Sequence, residues 1–369
     1  MAKNILIAYI SEVSGHRSAA EAVSKALKLL DPSCNVLGIN LFHYTNPHSE
    51  KVINKLYNSI IKLMPRIWEY LYDNPKVVAR TRKAKDIIHK FNSKKIKKLF
   101  DKFQPDVIAC TQAFPCGMFA DYKKMYNLDV PLIGVMTDFL PHAYWVYDNI
   151  DYYTVASDEA RRKFIALGIS PEKIKLTGIP IDPIFSVQRN KGKIASELGI
   201  DLSLPVVLVM GGGQGLGPIK TIIRKLDKMD TGLQVIVVTG TNEKLYKSLR
   251  RKRREKNILV LRYVNNIFDL MSISSVVISK PGGLTMSEAL AKKIIPIIIS
   301  PIPGQEENNT NFLLMNNAAF KAKGTAHICS IIGDLFANHE KYTQIQHNIE
   351  LIARPNAALD VARLILKNV

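Results

Sequence analysis

The stretch 279-SKPGGLTMSEALAKKIIPIIISPIPGQEENN-309 decides the fold. Val276 to Ser279 closes an apolar run, Pro281-Gly282-Gly283 reads as a turn, Thr285-Met286-Ser287-Glu288 opens a helix, and Ile294 to Ser300 forms a second strand. Strand, glycine turn, helix and strand in that order make a parallel α/β unit, in which ligands bind at the carboxyl ends of the strands. Two such ends carry Glu288 and the cluster Gln305-Glu306-Glu307-Asn308-Asn309. Carboxylates and amides gathered there suit a ligand rich in hydroxyls. Thr285-x-x-Glu288 also fits a capping box, which would occupy the glutamate within its own helix. A helix start accounts for the acids at 306 and 307, but not for the neutral amides among them.

Working outward, a second alternating series precedes this stretch, with strands at Pro205 to Met210, Leu233 to Thr239 and Ile258 to Leu261. The first half has the same rhythm. Asn4 to Ile10 reads as a buried strand, followed by a polar loop through Ser14-Gly15-His16 and a helix from about Ser18 to Leu30. Val107 to Cys110, Leu132 to Met136 and Tyr152 to Ala156 continue it, with a helix over Asp158 to Leu167. A proline- and glycine-rich segment, Thr177-Gly178-Ile179-Pro180-Ile181-Asp182-Pro183, marks the linker. Two Rossmann-like domains follow, 1–186 and 187–355, facing each other across a cleft, with a C-terminal helix over 356–369 that packs back on one of them.

At 369 residues, with 47% hydrophobic and 22% charged, the chain is globular and long enough for two cores. The four cysteines, Cys34, Cys110, Cys116 and Cys329, form neither a CxxC pair nor a dense framework, which argues against zinc and disulfide scaffolds and for a reducing cytosol. No apolar run approaches the ~20 residues needed to span a bilayer. The excess of 51 Lys+Arg over 32 Asp+Glu, net +19, points to a polyanionic partner. Most of it lies in an insertion over 46–103: Lys51 to Lys102 holds fifteen Lys+Arg against four Asp+Glu. Ile53, Leu56, Tyr57, Ile60, Ile61 and Met64 share one helical face, Pro65 ends or kinks it, and Arg66 and Trp68 follow. Such a segment suits an anionic membrane surface, or is an ordinary helix with a core face and a solvated face. No nucleic-acid-binding signature accompanies it, and no nucleic acid is expected as partner.

Three further features bear on chemistry. In Val206 to Gly217, VVLVMGGGQGLG, glycines after a strand let backbone amides approach a phosphate, and Pro218 suits the start of a helix whose N-terminus favours anions. It is neither a P-loop nor a dinucleotide fingerprint, since Pro218 stands where Lys or the third Gly is required. His16 lies beyond the first strand, where an imidazole can act as general base. Asp138, in Met136-Thr137-Asp138-Phe139 after another strand, is placed to orient it, and His142 and Trp145 line the same crevice or simply pack.

Taken together, Gly15-His16-Arg17-Ser18-Ala19-Ala20-Glu21-Ala22, Thr137-Asp138-Phe139 with His142 and Trp145, the 177–183 segment, Gly211-Gly212-Gly213, and Lys280-Pro281-Gly282-Gly283-Leu284-Thr285 through Gln305-Glu306 resemble one family. It is that of the bacterial diacylglycerol glycosyltransferases and plant monogalactosyldiacylglycerol synthases, glycosyltransferase family 28, related to the lipid II N-acetylglucosaminyltransferase. The resemblance implies a GT-B fold and an inverting, metal-independent transfer, without cofactor, from a UDP-sugar to diacylglycerol or a glycosyl-diacylglycerol. It implies that His16, assisted by Asp138, is the base. It further implies that Gly211, Gly212 and Gly213 lie near the diphosphate, Val264 near uracil, Glu288 on the ribose, and Gln305 and Glu306 on the sugar, with Gly282, Gly283 and Asn309 in the same donor site. Trp145, Trp68 and Arg66 would meet acceptor or membrane, and the protein would sit on the cytoplasmic face of the cell membrane against anionic lipids. A polyprenyl-linked acceptor, an epimerase on the same fold, or a non-enzymatic membrane- or RNA-binding protein are the rival readings. The chain departs from the family at Ser11-Glu12-Val13-Ser14-Gly15, where relatives carry a run of glycines, so the approach to His16 is stiffer.

Overall fold

In a computed structural model of the chain, residues 2–10, 14–45, 92–251 and 254–369 are described. Among the described residues twelve strands form two six-stranded sheets, and every pairing is parallel. The first contains β1 (Asn4–Tyr9), β2 (Asn35–Asn40), β3 (Val107–Cys110), β4 (Leu132–Val135), β5 (Tyr152–Val155) and β6 (Ile174–Leu176), in the spatial order β2-β1-β3-β4-β5-β6. The second contains β7 (Val206–Met210), β8 (Gln234–Val238), β9 (Ile258–Leu261), β10 (Val276–Ser279), β11 (Ile295–Ile298) and β12 (Phe320–Lys321), in the order β12-β11-β10-β7-β8-β9. Each sheet reverses its winding once, between β1 and β3 in the first and between β7 and β10 in the second.

The chain divides into two compact units, one of Met1–Pro183, Ile302–Asn308 and Arg354–Val369, the other of Ile184–Pro301 and Asn309–Ala353. In the first, alternation along the strands sorts side chains onto two faces. Leu6, Ile108 and Leu132 pack with Phe119, Tyr153 and Phe164 on one face. Ile5, Ile7, Val107 and Ile133 pack on the other with Ala22, Val23 and Leu27 of helix Gly15–Leu30. The same face receives Ala358, Val361, Ala362 and Ile365 of the C-terminal helix Ala357–Lys367. Small residues on both helices let them lie close together over β1 and β3.

Of the basic segment 46–103, only 92–103 falls within the described residues. It is a helix with Ile96 and Leu99 buried and Lys94, Lys97 and Lys98 exposed. Arg66 and Trp68 lie outside the described residues. No helix among the described residues is long and apolar enough to cross a membrane.

The fold makes one stability prediction. Ile365 is fully buried against the first sheet, so Ile365→Ala should lower the unfolding free energy by about 2–5 kcal/mol, read from the urea midpoint.

Candidate active site

In the first unit the site grows from the reversal between β1 and β3. Ser14 caps helix Gly15–Leu30, its hydroxyl accepting from the Arg17 N–H at 3.4 Å. His16 therefore stands in the first helical turn, not in the loop that the polar run 14–16 implied. The helix starts early because serine at 14 supplies a capping oxygen that a glycine would lack.

Because β1 and β3 are neighbours, Thr111, the first residue after β3, comes to lie beside this turn. His16 Nδ1 is 2.9 Å from the Thr111 carbonyl oxygen and 2.9 Å from Thr137 Oγ1, and Thr111 Oγ1 donates to the His16 carbonyl at 2.8 Å. A carbonyl oxygen only accepts, so the contact requires the proton on Nδ1. The opposite tautomer would set two lone pairs against each other at that distance. The neutral ring is thus left with Nε2 as its basic atom. Burial pushes the His16 pKa down, and the Asp138 charge and the Thr111 hydrogen bond offset this only in part. Asp138 acts on the ring through its charge, while Thr111 and Thr137 hold Nδ1. Asp138 Oδ2 also accepts from Gln305 Nε2 at 3.1 Å.

Trp145 corrects its expectation as an acceptor or membrane contact. It is 3% exposed, packed in the first core beside Gly134 and Tyr153, whose hydroxyl donates to the Trp145 carbonyl at 2.9 Å. It is a core residue.

In the second unit the reversal lies between β7 and β10, and the turns leaving those strands carry glycines. After β7, the loop folds on itself through Gly215 N–H to Gly212 O at 3.0 Å and Leu216 N–H to Gly211 O at 2.9 Å. It is tied to the loop after β8 by Thr241 N–H to Gly213 O at 2.9 Å. The two loops approach so closely that a Cβ on Gly215, which also has φ +58°, would sit 2.1 Å from the Thr239 carbonyl. Gly211 is buried under Leu216, whereas Gly212 and Gly213 are exposed. Helix Ile219–Asp227 then begins after Pro218 with no side chain capping its first turn. Val264, half-buried, follows β9 at the same edge of the sheet.

After β10, Gly282 is the N-cap of helix Gly283–Ala291 and offers no side-chain cap. Thr285 is thus the third helical residue, and the capping box with Glu288 does not form. Glu288 lies half-buried on that helix. Asn309, expected to touch the donor, is fully buried and donates to the Pro281 carbonyl at 3.1 Å. It holds the β10 turn from behind. Gln305 opens helix Gln305–Met315, and Glu306 Oε2 accepts from the Ile302 N–H at 2.7 Å, closing the turn at Gly304. Thr111 had no motif to mark it, and Gly215 and Gly240 were visible only as glycines. Among the described residues no three His, Cys, Asp or Glu side chains gather as metal ligands.

Two reversals of parallel winding, one holding a tautomer-fixed histidine and the other two glycine turns at uncapped helix starts, are features of a GT-B enzyme. The family described as monogalactosyldiacylglycerol (MGDG) synthase matches residues 16–181, and the glycosyltransferase family 28 C-terminal domain matches residues 206–348. The processive diacylglycerol beta-glucosyltransferase of Bacillus subtilis is 32% identical over 374 residues, covering 99% of this chain and 95% of the relative. The Acinetobacter baumannii MurG structure shares the fold with a TM-score of 0.65 at 15% identity, covering 99% of both chains. UDP-GlcNAc 2-epimerase from Neisseria meningitidis shares it with a TM-score of 0.62 at 14% identity, covering 98% of this chain and 99% of that one. The chain belongs to the diacylglycerol glycosyltransferase and MGDG synthase family of glycosyltransferase family 28, and is a UDP-sugar hexosyltransferase of GT-B fold.

Two outcomes test the local geometry. Gly215→Ala should cost about 1–3 kcal/mol from backbone strain alone, before the clash with Thr239, and lower the melting temperature in calorimetry. The His16 pKa lies below its unfolded value of about 6.5. On acidification the unfolded chain takes up this proton before the folded one, so stability intact above that pH falls as the pH drops below it. Urea midpoints between about pH 7.5 and 5 should decline less steeply in His16→Gln than in the wild type.

Proposed function

We propose that the protein transfers a hexose, glucose in the first instance, from its UDP-sugar to diacylglycerol or glucosyl-diacylglycerol, with inversion at the anomeric carbon. The observation that carries the mechanism is the His16 ring: neutral near pH 7, with Nδ1 committed to Thr111 and Nε2 as its basic atom. Nε2 takes the proton of the acceptor hydroxyl, the oxygen attacks the anomeric carbon, and UDP departs from the opposite side. The Nδ1–H bond to a carbonyl strengthens as the imidazolium forms, and the Asp138 charge stabilises that cation.

Donor binding is assigned to the second set of turns. The exposed amides of Gly212 and Gly213 and the uncapped starts of helices Ile219–Asp227 and Gly283–Ala291 suit the diphosphate, whose charge a helix N-terminus favours. These dipoles take the part that a metal plays in other transferases, and no cofactor is required. Gly282 leaves open space where a side chain would stand, so that a ligand can approach the backbone. Glu288 is assigned to the ribose hydroxyls, Gln305 and Glu306 to the sugar, and the backbone at Val264 to uracil. The basic segment 46–103, with Arg66 and Trp68, docks on the anionic inner face of the cell membrane, where the acceptor resides.

The deciding experiment offers a panel of UDP-sugars to the protein on phosphatidylglycerol-containing vesicles with diacylglycerol and identifies the glycolipids by mass spectrometry. A glucosyl-diacylglycerol ladder is expected, and no glycolipid from any donor refutes the acceptor. His16→Ala should lose about 10²–10⁴-fold in turnover with UDP affinity unchanged in calorimetry. Near-normal turnover in that variant would sink the base assignment.

A further inference from the structure

Positive charge gathers a second time, away from the residues assigned above. Residues 224–256 hold eleven Lys and Arg against four Asp and Glu. Together with Lys51 to Lys102, they carry all but one of the nineteen net charges of the chain. The rest of the molecule is almost neutral, so this second concentration has to be explained locally.

Its position follows from topology. β7, β8 and β9 are neighbours and parallel, so the residues that enter them, 199–205, 228–233 and 254–257, lie side by side at the amino edge of the sheet. The glycine turn, Val264 and the Gly282 turn leave strands and lie at the opposite edge. The cations at the amino edge therefore do not serve the donor diphosphate.

Side-chain hydrogen bonds tie these entering residues together. Asn257 Nδ2 donates to the Gly199 carbonyl at 2.9 Å, and Gln234 Nε2 to the Asp201 carbonyl at 2.6 Å. Asp227 Oδ1 accepts from the Glu255 and Lys256 N–H groups at 3.0 and 3.2 Å, and Lys256 Nζ donates to the Thr231 carbonyl at 2.9 Å. From this frame project the exposed cations Lys228, Arg250 and Arg251, beside Leu202 and Leu204, which are 47% and 40% exposed. A cavity of about 370 Å³ lined by Arg224, Lys225, Lys228, Met229 and Cys329 adjoins it.

Cations in the last turn of a helix complement its dipole, which accounts for Arg224, Lys225 and Arg250. Lys228 and Arg251 cap the same two helices, Lys228 also reaches Glu255 Oε1 at 3.5 Å and Arg254 lies 3.7 Å from Asp227, but none of this accounts for two leucines held in water among an excess of cations. Aliphatic side chains between lysines and arginines suit the boundary of headgroups and acyl chains. Single-stranded nucleic acid is held on aromatic platforms instead.

We propose that the amino edge of the second sheet is a docking surface for an anionic bilayer, with Leu202 and Leu204 entering the headgroup layer and Lys228, Arg250 and Arg251 meeting lipid phosphates. The proposal rests on the reading that the acceptor is a membrane lipid. The cavity seats one phosphodiester headgroup among its three cations.

The test compares the full-length wild type with Lys228→Ser/Arg250→Ser/Arg251→Ser and with Leu202→Ser/Leu204→Ser. Sedimentation is measured with vesicles of phosphatidylcholine, with and without phosphatidylglycerol. At about 1 kcal/mol for each cation near an anionic surface, the charge variant should partition about a hundredfold more weakly onto the anionic vesicles. The leucine variant should also bind more weakly, and the loss should persist when salt is raised. Both should keep wild-type UDP affinity and wild-type turnover on detergent-dispersed diacylglycerol. Vesicle partition within about twofold of the wild type in both variants overturns the proposal. So does loss of poly(U) RNA binding with vesicle binding retained, which would assign the edge to nucleic acid. A wild type that glycosylates no dispersed diacylglycerol fails the acceptor reading instead, and is told apart by its unaltered vesicle binding.

Discussion

A parallel strand buried on both faces meets ligands only at its ends, and a parallel sheet places all its outgoing loops along one edge. Where the winding reverses, two of those loops diverge and leave a gap that neither crossover helix fills. Both units of this protein are organised by that constraint. In the first, the reversal brings Thr111 after β3 against His16 after β1. In the second, it brings the glycine turn after β7 and the Pro281-Gly282 turn after β10 onto neighbouring strands.

What each gap can do depends on how its backbone is held. The imidazole is pulled two ways, since burial favours its neutral form while the Asp138 charge and the Thr111 carbonyl favour the cation. Burial dominates, so the neutral form of the ring is favoured. In the second unit the backbone itself forms the surface. Gly215 and Gly240 approach the facing loop closer than any Cβ permits, while Gly212 and Gly213 stay exposed. Asn309 acts behind this surface, tethering the β10 turn.

The central strands were legible because they are short apolar runs between glycine or polar turns. Three strands escaped notice, β2, β6 and β12, and all three are sheet edges. An edge strand has half its surface in water, and Asn35–Asn40, with only one of six residues buried, lacks the apolar signature. Helix starts were the other weak point. The capping box at Thr285 and the loop reading of His16 both turned on which residue supplies the cap, and the competing choices, Gly282 and Ser14, differ by only a few residues in register. Trp145 could be read as surface or core with equal ease, because an aromatic side chain serves either.

Local pattern and the order of motifs were sufficient to establish two parallel α/β sheets, the absence of a P-loop and the family. Each of these depends on residues close in sequence, whose periodicity or spacing survives without a structure. The partners of His16 Nδ1, the depth of Trp145 and Asn309, and the packing of the C-terminal helix on the first sheet were decided only in three dimensions. Thr111 is 95 residues from His16, and the C-terminal helix joins a face built by residues between Ile5 and Val135. Such contacts follow from strand order, which no local pattern encodes. The basic edge of the second sheet shows the same division: its charge can be counted in the sequence, but only parallel pairing places it opposite the glycine turns.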